Sequence, residues 1–156
     1  MNKLIFLLML LFMMGCNANE NFIDTLKPNL ESMSFDVVQK QLVIKQDLPN
    51  HVKMLVTNWF DEKVKVNGFD GNMTFTILSY SQEISTISDG KKIDTSLSFQ
   101  VLLIKPTLSQ RKLINGSVSS YGTLTGDFSL SEFDTVIQNV QSDLILRLSR
   151  DLQSKI

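Results

Sequence analysis

The sequence predicts an α+β two-layer sandwich, ordered β-α-β-β-β-α, with a four-stranded mixed sheet and both helices on one face. Three observations predict it. Four stretches alternate apolar and polar residues, the mark of strands with one wet face. Two longer stretches repeat apolar residues every three to four positions, as helices packed on one side do. Turn signals rich in Gly, Pro, Asn and Asp separate these stretches. At 156 residues, 43% hydrophobic and 20% charged, the chain suits one domain with enough surface to bury a core.

Met33 to Lys45 alternates at Met33, Phe35 and Val37, then slips to Val38, Leu42 and Ile44. The slip predicts a bulge in a first strand. Asp47-Leu48-Pro49 offers an N-cap followed by Pro in the first helical turn. Val52, Leu55, Val56 and Trp59 then recur at helical spacing, with Phe60 on the flank. They predict a helix over 48–65, closed by Asn67-Gly68.

Asn72 to Ile84 predicts a second strand, with Met73, Phe75 and Ile77 on one face. Tyr80 breaks the parity and predicts another bulge. Ser88-Asp89-Gly90-Lys91 is a turn signal. The third strand carries Ile93, Thr95, Leu97, Phe99, Val101 and Leu103 on one face. Asp94, Ser96, Ser98 and Gln100 occupy the other, until Leu102 and Ile104. Lys105-Pro106 ends it, and a fourth strand spans 112–121. Thr123 to Phe128 reads as a loop. Ser129 and Glu132 fit a capping box, opening a helix with Phe133, Val136, Ile137, Val140, Leu144 and Leu148 on one stripe. Arg147 and Asp151 are four apart and suited to pair. The first two strands, joined through a helix, should run parallel with a right-handed crossover; the last three should form a meander.

The N-terminus has a different character. Leu4 to Met14 is an apolar run of eleven residues preceded by one charge, Lys3. A membrane-spanning helix needs about 20 residues. A positive start, a short apolar stretch and a small residue describe an export signal over 1–15. A buried core helix, the alternative, would show polar residues on its solvent face. The chain's one Cys, Cys16, sits where the run ends. Residues 16–31 read as the anchor and a tether, and 32–156 as the folded domain. Without residues 1–15, fourteen basic residues face sixteen acidic ones, a net charge of −2.

Met13-Met14-Gly15-Cys16 resembles the lipobox of bacterial lipoproteins. Gly15 and Cys16 match, while Met13 stands where Leu is usual and Met14 where a smaller residue is preferred. The resemblance implies cleavage before Cys16, a diacylglycerol thioether on its sulfur and a fatty acyl chain such as palmitate on its new amino group. One acyl chain holds a protein only marginally, and two or three hold it stably. Asn17 follows the Cys, where Asp marks inner-membrane retention in enteric bacteria; the outer membrane is therefore the favoured location, facing the periplasm.

Chemistry-bearing patterns are few. One His and one Cys leave no set for a multi-histidine metal site; no cofactor, metal or nucleic-acid partner is expected. His51, at the start of the first helix, reads as a solvated residue. No P-loop, GxGxxG or HExxH occurs, and no paired carboxylates share a strand face, so no enzyme is expected. Gly68-Phe69-Asp70-Gly71 and the Tyr121–Phe128 segment read either as turns whose aromatics staple onto the core or as a recognition rim at one end of the sheet. Leu102, Ile104 and Leu146 are apolar at positions that should face solvent, with Ile145 and Leu152 toward the same flank as Leu146. Scattered exposed apolar residues are ordinary; joined, they would mark a partner surface.

The signal, the Cys, the order of elements and a closing amphipathic helix after a Tyr-Gly segment resemble the lipopolysaccharide-assembly lipoproteins and related small envelope lipoproteins. That resemblance implies a non-catalytic binding or assembly role beside an outer-membrane β-barrel or lipopolysaccharide. A second reading is an accessory lipoprotein of an inner-membrane permease complex.

Overall fold

In the computed structural model, residues 30–156 are described. The expected signal peptide, Cys16 and almost all of the tether lie outside them. Three 16-residue strands dominate: β4 (Asn72–Ile87), β5 (Gly90–Lys105) and β6 (Gln110–Thr125) form the antiparallel meander. β2 (Gln39–Ile44) pairs parallel with the first residues of β4, giving the order β2-β4-β5-β6. The helices are α1 (Asn50–Lys63) and α2 (Leu130–Gln153). The α+β class, the mixed four-stranded sheet and the two covering helices are as the sequence predicts.

The first predicted strand is instead two. β1 (Met33–Phe35) pairs parallel with β3 (Val64–Val66) in a separate two-stranded sheet, and only β2 joins the main one. The slip in alternation marks a turn rather than a bulge. The N–H of Val37 donates to the Phe35 carbonyl at 2.9 Å, and the N–H of Gly68 to the Val37 carbonyl at 3.0 Å. Val37 is 1% exposed, so this turn is pinned inward.

The ends of α1 also differ from expectation. Pro49 is the N-cap and no side chain, Asp47 included, caps the helix. The C-terminus comes at Lys63 because β-branched Val64 leaves in an extended conformation to begin β3. Asn67-Gly68 therefore belongs to the loop below β3.

The bulge expected in β4 is present, between Ile77 and Ser79. Past it, the Gln46 side chain continues the edge pairing that β2 has left. Its amide donates to the Tyr80 carbonyl at 3.0 Å and accepts from the Tyr80 N–H at 2.8 Å. β6 runs four residues beyond its predicted end and holds two glycines on the helix side. A Cβ on Gly116 would stand 2.2 Å from the Phe99 ring and 2.5 Å from the Asp151 carboxylate. One on Gly122 would press on Val140 at 2.6 Å. These glycines let α2 lie directly on the sheet.

The core lies between that sheet face and the helices. Trp59 meets Phe75 edge-on at 5.3 Å, and Phe75 stacks on Phe99 at 5.4 Å. Trp59 and Phe99 share one cluster; Val140 is buried outside it. A polar seam joins α2 to the strands. Gln141 Nε2 donates to Gln82 Oε1 at 2.9 Å, and Ser120 Oγ donates to Asp143 Oδ2 at 2.7 Å. Burial raises the Tyr80 hydroxyl above its ordinary pKa, and Gln141 partly offsets this.

α2 opens with the predicted capping box: the Glu132 N–H donates to Ser129 Oγ, and Ser129 donates to the Glu132 carboxylate. Its buried face is wider than predicted. Ile145 and Leu152, expected on an exposed flank, are 2% and 0% exposed. α1 packs alongside α2, so a second element covers the flank the sheet leaves open. Phe133, Val136 and Ile137 are only half-buried, near the free N-terminal end. The i,i+4 ion pairs are Asp143–Arg147 and Asp151–Lys155, not Arg147–Asp151.

Candidate functional site

Residues paired across the meander share a face. Opposite the helices, the rows read Thr76–Gln100–Asn115, Ser79–Ser98–Ser117 and Ser81–Ser96–Ser119. Hydroxyls and amides join along them: Ser81 with Ser96 at 2.8 Å, Ser98 with Ser117 at 3.3 Å, and Gln100 with Asn115 at 3.0 Å. These three rows carry no charge. The next row toward the end of β5 is Thr74–Leu102–Leu113, and then Asn72–Ile104–Arg111. Leu102 and Ile104 thus share the open face with exposed Leu113. Leu146, half-buried, belongs to α2 in the opposite layer. The three do not form one continuous surface.

The lower end of the sandwich, where β4 starts and β5 and α2 finish, concentrates the exposed features. A cavity of about 380 Å³ is lined there by apolar Phe35, Val37, Leu103 and Ile156 and by polar Asp36, Lys105 and Lys112. A shallower one of about 200 Å³ shares Asp36 and Lys105 and adds Phe69, Asp70, Thr107 and Leu108. Three contacts fix these walls. Lys105 pairs with Asp36, tying the sheet to the β1–β2 turn. The Thr107 N–H donates to Asp70 Oδ2 at 3.0 Å, tying the β5–β6 turn to the 68–71 loop. Lys112 Nζ reaches the carbonyls of Lys155 and Ile156, each at 3.3 Å. The Thr107 hydroxyl and N–H hold the Asp70 carboxyl below its usual pKa. Apolar walls beside fixed ammonium groups suit contact with an amphipathic surface.

The two glycine-flanked segments lie at opposite ends of the strands, so they build no common rim. Phe69 is fully exposed and staples nothing. Tyr121, 68% exposed, lies within β6, and Phe128 stacks on Phe133 at 6.1 Å. His51 is half-buried rather than solvated; its Nε2 has no hydrogen-bond partner, and burial lowers its pKa. The Asp36–Lys105 pair was out of reach of sequence reading because 69 positions separate its members.

No protein-family profile matches the chain, and no curated protein matches it in sequence. Solved structures do share its fold. The minor lipoprotein of Acinetobacter baumannii superposes with a TM-score of 0.53 at 8% identity, over 76% of this chain and 94% of that one. The rare lipoprotein B of Shewanella oneidensis gives 0.51 at 12% identity, over 76% and 96%. In fold, the chain resembles these bacterial lipoproteins. Among the described residues no helix is long and apolar enough to cross a membrane.

Proposed function

We propose that this chain is a lipid-anchored, non-catalytic component of the bacterial cell envelope, held by acyl chains on Cys16 and acting by docking a protein of the outer-membrane or lipopolysaccharide assembly machinery. The observation that carries the reading is a conjunction. A lipobox-like Met13-Met14-Gly15-Cys16 precedes a domain whose fold two bacterial lipoproteins share across nearly their whole length. The three uncharged hydroxyl and amide rows at the middle of the open face support a docking role. Such a patch costs less to desolvate than the charged rows that flank it, Glu83–Asp94 on one side and Arg111 on the other. Leu102 and Ile104 at its edge extend it with apolar area.

The test is crosslinking in intact cells that express the affinity-tagged full chain, followed by purification from detergent-solubilised membranes. Recovery of an outer-membrane barrel protein supports the reading. Recovery of an inner-membrane permease would replace it with a transport-accessory role.

A further inference from the structure

We propose that the lower end of the domain rests on the bilayer, with Phe69 and Leu108 entering the interfacial layer of an anionic phospholipid membrane. The proposal relies on the anchor at Cys16.

Its first support is the distribution of exposed apolar side chains. Nine large ones are exposed among the described residues, and four of them gather at this end: Val38, Phe69, Leu108 and Ile156. Phe69 and Leu108 project from different loops, yet the Thr107–Asp70 hydrogen bond binds those loops together. They line one shallow cavity as a pair of apolar tips. An aromatic ring and an aliphatic chain held out beside cationic groups suit the headgroup boundary of a bilayer. Exposed Arg111 and Lys112 stand at the same end.

Charge gives the second support. The opposite end, around the β4–β5 hairpin and the start of α2, carries Glu83, Asp89, Asp94, Asp127, Glu132 and Asp134 against Lys91 and Lys92. At the lower end Lys105, Arg111, Lys112 and Lys155 stand against Glu31, Asp36, Asp70 and Asp151. An anionic bilayer therefore repels the upper end more and meets Arg111 and Lys112 at close range, where salt screens them least.

Third, the chain joins the domain in the right place. Leu30 packs on the core, and Gln153 Nε2, on the last residue of α2, donates to the Glu31 carbonyl at 3.3 Å. The fourteen steps from Cys16 to Leu30 reach about 50 Å at most. The 16-residue strands are themselves about 53 Å long. With the lower end on the membrane the tether has slack; with the upper end on it, the tether would have to span nearly the length of the strands.

The experiment uses the full-length lipidated chain in vesicles of phosphatidylethanolamine and phosphatidylglycerol doped with a nitroxide-labelled lipid. Phe69→Cys, Leu108→Cys and Tyr121→Cys variants each carry an environment-sensitive fluorophore. The proposal expects the labels at 69 and 108 to shift to shorter wavelength and to be quenched, while the label at 121 keeps its emission in water. Labels at 69 and 108 that read water on vesicle-bound protein would overturn it, as would equal quenching at 121. Protection at 69 and 108 that needs an added membrane-protein extract would assign this end to a protein partner and also overturn it. Loss of the chain from the vesicles in high salt would overturn the anchor itself, and sedimentation separates that outcome from the others.

Discussion

Lys40 Nζ lies 2.7 Å from the carbonyl oxygen of Val64, the residue that follows α1 as its C-cap and begins β3. The same ammonium donates to the Phe60 and Asp61 carbonyls at 2.9 and 3.2 Å and stands 4.7 Å from the centre of the Phe60 ring. The last carbonyls of a helix lack partners within it; here a cation supplied by β2 takes those of Asp61 and Val64 and shares that of Phe60 with the Val64 N–H, in line with the negative end of the helix dipole. Burial lowers the Lys40 pKa, Asp61 opposes that, and Lys65 adds to it.

Lys40→Met keeps the side chain's bulk and removes its donors. A hydrogen bond to a charged group contributes about 1.5–3 kcal/mol, so the variant should lose about that much stability. Urea unfolding of wild type and variant measures it. An unchanged midpoint would show that water replaces the ammonium without loss.

Trp59 is 4% exposed, and its Nε1 has no hydrogen-bond partner. Its contribution is therefore apolar packing against Phe75. Trp59→Ala should cost about 3–5 kcal/mol, a large share of a typical 5–15 kcal/mol total. Trp59→Phe should cost much less, because it keeps an aromatic ring and removes the unpaired donor. Fluorescence of the folded wild type should peak at short wavelength; emission typical of water would contradict the packing described.

These features were legible to different degrees. The capping box at Ser129 and Glu132, the alternation in β5 and the break at Tyr80 are local patterns, and local chemistry produces them. The Lys40 cap and the Gln46 bridge to Tyr80 join residues 20 or more positions apart, and no spacing announces them. β3 is three residues long, too short to show a period, so the division of Met33–Lys45 between two sheets was hidden. Ile145 and Leu152 are buried against expectation because one helix's periodicity shows its stripe but not a second helix beside it. The parity of Leu102 and Ile104 places them on the open face, where they lie; Leu146 belongs to the other layer.

His51 makes the fold sensitive to mild acid. Burial sets its folded pKa below the ordinary 6.5. The unfolded chain thus takes up a proton more readily, and stability is full above about pH 6.5 and falls as pH drops toward the folded value. Asp70, Glu132 and Asp143 have lowered pKa values too, but their contribution is lost only at more acidic pH. As the chain has one His, His51→Gln should flatten the stability difference between pH 7.5 and 5.5. Equal slopes in variant and wild type, by urea unfolding, would refute the assignment.

Membrane attachment through Cys16 is the central claim, and a phase-separation assay on cells producing the full chain or Cys16→Ser tests it most directly. The wild-type protein should enter the detergent phase, and its N-terminal peptide should begin at residue 16 with the mass of a diacylglycerol and an acyl chain added. Cys16→Ser should remain in the aqueous phase with a folded domain. A wild-type N-terminal peptide with an unmodified Cys16, or a Ser variant that still partitions into detergent, would contradict the account.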